Sequence, residues 1–498
     1  MNPHGLVLLG ILLSSFITGL VIFFLREENH RLRTWLNLLG AGLKMVLVAG
    51  LLWGIYLDQD YSLSWEILPG LTLALGADAN AVLFVTLSTF LWFWTTLYAV
   101  GYLEDSPHRS RFFGFFSLCV TATTGIALSA NLVTFLVFYE LLTVSTYPLV
   151  AHRGTPEALR GGRTYLVYTL AGGALLLLAV AWLQSLAGPV VFKERGALAA
   201  VVAERPAQLR WIFLLFILGL GVKAAIVPLH GWLPKAMVAP APVSSLLHAV
   251  AVVKAGAFGI VRVVYDVYGV ETARDLGLLD PLAWAAAATI LYGSARALFQ
   301  DSLKKRLAYS TVSQVSYIVL GVAIFGPLAT IGGLVHLVHQ GLMKITMFFC
   351  AGNYAETLGI HKVSEMNGAG RRMPLTTAAF AVAALGMIGL PLLAGHVTKH
   401  YLKLGAAAAG APWVAWLLAA SSLLNAAYFL PIFYRAWFKP PPAKWPAEHH
   451  FAGGETHWLL LLPPLVTAVL VVCAGVLADT PYSPLAWVKL ISAREYGP

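Results

Sequence analysis

Charge is what this chain has least of. Of its 498 residues 11% are charged, where ordinary soluble domains carry roughly 25%. Acidic residues number 23 against 33 lysines and arginines. With 59% hydrophobic residues and a mean hydropathy of +0.76, a soluble enzyme is excluded and an all-α polytopic membrane protein is expected. Cysteine is nearly missing too. Cys119, Cys350 and Cys473 lie far apart in apolar stretches with no CxxC pair, which argues against an iron–sulfur cluster, a structural zinc or a disulfide framework. No strand pattern is found, so no dinucleotide fingerprint or P-loop can follow one. The chain is read as carrying no cofactor, no metal and no redox centre of its own. Long polar segments are also lacking: the longest, roughly 188–210, 355–373 and 438–456, are too short to fold as domains.

What fills the chain is apolar runs. About 20 residues cross a bilayer as a helix, and fourteen segments qualify, at approximately 5–25, 36–57, 79–100, 112–130, 131–150, 165–187, 211–230, 243–265, 280–299, 307–325, 328–354, 375–402, 413–437 and 457–478. The first has no basic leading region and no clear cleavage site, so it is read as a retained helix. The formal charge of +10 does not point to nucleic acid, because the cations are sorted by side. Arg26, Arg31 and Arg33, then Arg153, Arg160 and Arg163, Lys304, Lys305 and Arg306, and Lys362, Arg371 and Arg372 fall in loops of one side, whereas 58–78 holds only acids. The positive-inside rule then places both termini outside, in a bacterial or archaeal inner membrane.

Two spans are interrupted. One reads Lys223-Ala-Ala-Ile-Val-Pro228-Leu-His230-Gly-Trp-Leu-Pro234 and the other Gly389-Leu-Pro391-Leu-Leu-Ala-Gly395-His396-Val-Thr-Lys399. Proline removes a helix hydrogen bond and frees a carbonyl about one turn earlier. Such backbone survives in lipid only where protein or a water-filled cavity satisfies it. Interrupted helices at matching positions of two halves point to a transport site. Each break here accompanies one lysine, and the two lie five spans apart. The expected division is 1–111 (helices 1–3), 112–267 (a first five-helix repeat), 268–437 (a second, inverted because five is odd) and 438–498 (helix 14 and a short tail).

Ionisable residues inside the spans carry the functional signal, since a charge at bilayer depth is expensive. Glu140 shares a helix face with Thr143 and Tyr147 and is expected to pair with Lys223; a purely structural ion pair is the competing reading. His248 and Lys254 follow Ser244 and Ser245 on one side of the eighth span and suit a proton relay, against a satisfied core histidine and a lysine reaching toward the interface. His336, His339, Gln340 and Lys344 occupy one face of the eleventh. Those histidines stand three apart with no third ligand nearby, so a hydrated proton path is expected there and zinc is not. Lys399 is read as an exit gate or an interfacial lysine. Lys44 has no evident partner and is expected to snorkel. The fifteen tryptophans suit interfacial anchoring.

Two motifs resemble a known family. They are Gly221-Val-Lys223-Ala-Ala-Ile-Val-Pro228-Leu-His230-Gly-Trp232-Leu-Pro234, continuing to Ser244-Ser245-Leu-Leu-His248, and Leu303-Lys-Lys-Arg306-Leu-Ala308-Tyr309-Ser310-Thr-Val-Ser313-Gln314. Both resemble the antiporter-like subunits shared by respiratory complex I, membrane-bound hydrogenases and Mrp-type cation/proton antiporters, over about 75–435. The resemblance implies fourteen core helices with two inverted repeats. It also implies relay roles for Glu140, Lys223, His248, Lys254, Lys344 and Lys399. Gln340 stands where several relatives place a histidine. The chain ends soon after its last span, so the long lateral helix of one complex I relative is not expected. The implied function is proton translocation within a multi-subunit complex, coupled to NADH/quinone or hydrogenase-type electron transfer in other subunits. A subunit of a sodium/proton antiporter or of a proton-coupled inorganic-carbon uptake system is the alternative, with sodium as second cargo, and a stand-alone solute carrier is the weaker third. Expected partners are other membrane subunits, the lipid bilayer and protons; nucleic acid is not.

Overall fold

The computed structural model describes residues 3–103, 106–451 and 454–497. A helix stands at every one of the fourteen apolar segments. They are α1 (Pro3–Phe23), α2 (His30–Tyr56), α3 (Ala79–Tyr102), α4 (Arg109–Ala127), α5 (Leu132–Val150), α6 (Pro156–Ala187) and α7 (Pro206–Lys223). Then come α8 (Ala241–Tyr268), α9 (Leu279–Leu298), α10 (Leu303–Ala323), α11 (Pro327–Leu358), a divided α12 (Pro374–Ile388 and Ala394–Ala408), α13 (Trp413–Phe438) and α14 (Trp458–Val476). Ten of them, all but α4, α9, α10 and α12, are long and apolar enough to cross a membrane. The protein is a multi-pass integral membrane protein.

Local chemistry sets several helix starts. The side chains of Asp78, Asn131 and Thr155 accept from the backbone N–H three residues on, at 2.7, 2.8 and 3.2 Å. Each such cap satisfies a donor the helix leaves open. Both predicted interruptions are present. After α7 the chain passes through short helical turns at Leu229–Gly231, Trp232–Lys235 and Ala236–Val238. There the indole of Trp232 donates to the Val222 carbonyl at 2.7 Å, and the Val227 N–H donates to Thr289 Oγ1 at 3.1 Å. The broken backbone is thus satisfied by protein, as burial in lipid demands.

The strand-free expectation fails at one place. Residues 61–77 form an antiparallel hairpin, β1 (Tyr61–Leu68) and β2 (Leu71–Ala77), in one register from Tyr61 opposite Ala77 to Glu66 opposite Thr72, with an irregularity before Leu68 pairs with Leu71. The turn is Pro69-Gly70, with Gly70 at φ +80°, a position glycine fills without strain. Alternation in Ser62-Leu63-Ser64-Trp65-Glu66-Ile67 carried the signal. The hairpin pairs with the α4–α5 connection, where the Gly76 N–H donates to the Leu128 carbonyl at 2.8 Å and the Ala130 N–H to the Ala74 carbonyl at 2.9 Å. The short tail likewise forms a helix, α15 (Pro484–Tyr496), packed against α3 and α11. Trp487 Nε1 donates to the Ala79 carbonyl at 2.9 Å and Ser492 to the Pro327 carbonyl at 3.1 Å. The hairpin and α15 therefore cover one end of the bundle. The loops with Arg26, Arg153 and Lys304 form the other, basic end.

Helices α8 and α11 lie at the centre, enclosed by the rest of the chain along their whole apolar stretch, whereas α1 is 28% and α2 39% buried. The two most enclosed helices are the ones that carry His248, Lys254, His336, His339, Gln340 and Lys344. Lys44 corrects its expectation: it does not snorkel. It is fully buried, donates to Ser15 Oγ and Thr124 Oγ1 at 2.7 Å each, and stands 5.3 Å from the Trp92 ring centre.

Candidate functional site

The buried residues form two neighbourhoods. The first surrounds Lys223, the last residue of α7. Its ammonium is fully buried, donates to the Tyr139 carbonyl and sits 3.3 Å from the centre of the Tyr139 ring. A cation over an aromatic face gains electrostatic stabilisation without a counter-ion. The expected closed ion pair with Glu140 is not formed: among the described residues, no ion pair within 4.0 Å joins the two. Tyr139 intervenes, because neighbours on a helix point in different directions. The Glu140 carboxylate lies against Gly173 of α6, where a Cβ would overlap it, and its Oε1 is buried with no protein partner. The two charges are still close enough to interact.

The second neighbourhood gathers α8, α10, α11, α12 and α13. In α8 the turn Leu246–Val250 is widened, a local feature frequent at functional sites, and it holds His248. That ring stacks on Phe348 at 4.4 Å and places Nε2 3.3 Å from Met237 Sδ. Lys254, fully buried, donates to the Leu337 carbonyl of α11 at 2.7 Å. Its charge faces His336, His339 and Lys344. On α11, His336 and His339 share one partner: their Nδ1 atoms lie 3.2 and 3.0 Å from Thr398 Oγ1. Gln340 is buried with neither amide atom partnered by protein.

From Lys344 a hydrogen-bonded track leads to Lys399. Lys344 Nζ donates to Ser310 Oγ at 2.6 Å and to the Leu307 carbonyl at 3.2 Å. The Tyr428 hydroxyl stands 2.9 Å from Ser310 Oγ and 2.6 Å from Asn425 Oδ1. Asn425 Nδ2 donates to the Met387 carbonyl at 2.9 Å, and Lys399 Nζ donates to that same carbonyl at 3.2 Å. Lys399 also donates to the Ile388 carbonyl at 2.7 Å and Ser422 Oγ at 2.6 Å. Its ammonium therefore caps the C-terminal end of Pro374–Ile388, where helix carbonyls concentrate negative charge. Gly389, at φ +99°, lets the lysine stem pass, since a Cβ there would come within 2.8 Å of Lys399 Cδ. The interfacial reading of Lys399 is set aside: it is 7% exposed and turned into the break.

Chemically, hydroxyls can accept one proton while donating another, so Ser310 and Tyr428 suit proton passage away from Lys344. Beyond them Asn425 Oδ1 and the Met387 carbonyl only accept, and they hold the geometry that ties this segment to Lys399. Sequence reasoning brought out Lys344 and Lys399 but missed Ser310, Tyr428, Asn425 and Thr398. Ser310 and Thr398 lay inside quoted motifs; Tyr428 and Asn425 carried no signal beyond being polar in apolar spans. Among the described residues no hydrogen bond connects Lys223 to Lys254, although α8 packs against the backbone at Lys223, where a Cβ on Gly256 would overlap it. No group of three or more metal-ligating side chains occurs among them either.

A helical membrane bundle with two broken helices and a track of buried lysines defines a polytopic membrane protein with an ionisable interior. The family model described as "NADH:quinone oxidoreductase/Mrp antiporter, TM" matches residues 129–425, and the chain belongs to that family. It is 35% identical over 438 residues, 86% of this chain and 85% of the other, to "NADH-quinone oxidoreductase subunit N" of Desulforudis audaxviator. It is 26% identical over 500 residues, 99% of this chain and 98% of the other, to a sodium/proton antiporter protein of Bacillus subtilis, itself one component of that antiporter. Its fold is that of a chain in the Mrp complex from Dietzia (TM-score 0.88, 21% identity, 100% of this chain and 98% of that one). It is also that of a chain in respiratory complex I from Thermus thermophilus (TM-score 0.81, 24% identity, 99% and 100%). Both structures are of multi-subunit membrane complexes. The chain is an antiporter-like membrane subunit.

Proposed function

We propose that this chain translocates protons inside a hetero-oligomeric membrane complex, through Glu140, Lys223, His248, Lys254, His336, His339, Gln340, Lys344 and Lys399. The observation that carries the reading is the track from Lys344 through Ser310, Tyr428 and Asn425 to Lys399. Protons enter from the basic end past Met237 to His248 and Lys254 and load Lys223. They then pass His339 and Lys344 and leave by Lys399 on the opposite side. His336, His339 and Gln340 each keep a buried polar nitrogen or oxygen without protein partner; such groups call for water, which suits a hydrated middle section. Glu140 acts as the switch: closing onto Lys223 stabilises the ammonium, and the open arrangement seen here lets the proton move on. Charge movement in a neighbouring subunit drives that switch through a low-dielectric medium.

In this reading all fourteen helices cross the membrane, with termini outside, and α4–α8 and α9–α13 are inverted repeats. The broken helices α7 and α12, five apart and each with a lysine at its break, support that symmetry. Energy is supplied by quinone- or hydrogenase-type electron transfer in partner subunits, a reading supported by the 35% identity to a quinone oxidoreductase subunit. End-to-end likeness to an antiporter protein favours a second reading, sodium/proton exchange. Purification with partners and reconstitution into vesicles separates them. Proton movement that requires quinone or hydrogen turnover supports the first; proton movement that requires sodium supports the second. Absence of proton movement under both conditions refutes the proposal.

A further inference from the structure

At the basic end two cavities open side by side, of about 710 and about 600 Å³. Such volumes suit a small-molecule or headgroup ligand. They share Arg160 and Lys305, and their walls add Arg153, Arg163 and Lys235, five cations against one carboxylate, Glu157, while the Lys304 ammonium is taken by the Ala239 carbonyl. Among the described residues none of the five is in an ion pair within 4.0 Å. Uncompensated cations converging on a concavity call for an anion.

The surroundings say which kind. The cavities lie where helices end, at the starts of α6 and α10 and the end of α11, the level at which a bilayer presents its headgroups. From there an apolar stripe runs down α6 through Leu159, Val167, Leu170 and Leu177, which are 47, 62, 48 and 55% exposed. Helical periodicity puts all four within a narrow arc, and Arg163 lies on the same arc. A cationic bowl at the head of an outward-facing hydrocarbon stripe matches an amphiphile with a negative head. Basic pockets between membrane helices bind lipid headgroups for this reason. An acidic segment of a neighbouring subunit would satisfy the cations and leave the stripe bare.

We propose that these cavities form a binding site for an anionic phospholipid, with its phosphate held by Arg160, Arg163 and Lys305 and its acyl chains along α6. Met237, on the proposed proton entry, lines one of the cavities, but the test reads lipid retention and thermal stability and needs no transport. The full chain, purified in neutral detergent, is mixed with phosphatidylglycerol or phosphatidylcholine, and retained lipid and thermal midpoint are measured. Phosphatidylglycerol is expected to stay bound and to raise the midpoint, while phosphatidylcholine does neither. At about fivefold per cation near a lipid surface, R160Q/R163Q/K305Q weakens retention by about a hundredfold. R163Q alone, at an exposed position on α6, weakens it about fivefold and guards against a folding defect in the triple variant. Equal retention by wild type and R163Q overturns the proposal. So does an equal rise in midpoint with inorganic phosphate, which marks a free-anion site, or with polyglutamate, which marks a docking site for an acidic peptide.

Discussion

Replacing Tyr428 by Phe removes one oxygen from the middle of the lysine track and changes little else. The hydroxyl stands 2.9 Å from Ser310 Oγ and 2.6 Å from Asn425 Oδ1, in a fully buried side chain. Each hydrogen bond contributes about 1 kcal/mol in water-soluble proteins and about 0.6 in membranes, so the variant loses about 1–2 kcal/mol and still folds. Its effect on transport is larger. Without the hydroxyl, nothing lies between Ser310 and Asn425 to receive the Lys344 proton. We expect proton movement to fall at least tenfold, about 1.4 kcal/mol of added barrier. The assay is acidification in vesicles with the assembled complex, read by a trapped pH dye, with thermal midpoints run in parallel. Tyr434→Phe, at a 54% exposed position on the same helix, serves as control and changes neither. Wild-type transport by an assembled Tyr428→Phe variant refutes the track.

Thr398→Val takes the shared hydroxyl from His336 and His339. It is expected to cost about 1–2 kcal/mol and to slow transport, with Thr398→Ser restoring both in the same assays. Lys44 is bound only by hydroxyls and faces an indole. Replacing a buried charge by an apolar side chain of similar volume is often neutral or stabilising, so Lys44→Met is expected to keep or raise the thermal midpoint; a fall of several degrees contradicts this. On α15, outside the spans, burial and then the charge of Asp266 push the Glu495 carboxyl up to about 8. The folded state then holds a proton that the unfolded chain releases, so this contribution is full below the ordinary carboxylate range and is lost as pH rises toward 8. Midpoints measured across that window should decline for wild type and flatten for Glu495→Gln.

Much of this was legible in the chain because charge in hydrocarbon is rare enough to stand out. Glu140, Lys223, Lys254, Lys344 and Lys399 announced themselves, and Pro228 and Pro391 marked both breaks. The links between them did not. Ser310, Thr398, Asn425 and Tyr428 are ordinary in apolar helices, and only packing of α10, α12 and α13 aims them at one another. Pairing was also hidden. A carboxylate and an ammonium in one stretch of membrane suggested contact, yet Tyr139 takes the Lys223 ammonium with its carbonyl and ring. Lys44 departs from the snorkelling expectation because snorkelling depends on which side of a helix faces lipid, and periodicity alone does not show that Ser15 and Thr124 meet it. The hairpin at 61–77 is readable from its alternation and its Pro69-Gly70 turn, whereas the acids of the segment report only its side of the membrane.

The account stands most directly on proton translocation by the assembled complex carrying Lys223→Ala, compared with wild type in the same vesicles. We predict that the variant assembles with its partners and moves no protons. Normal pumping by that variant contradicts the account.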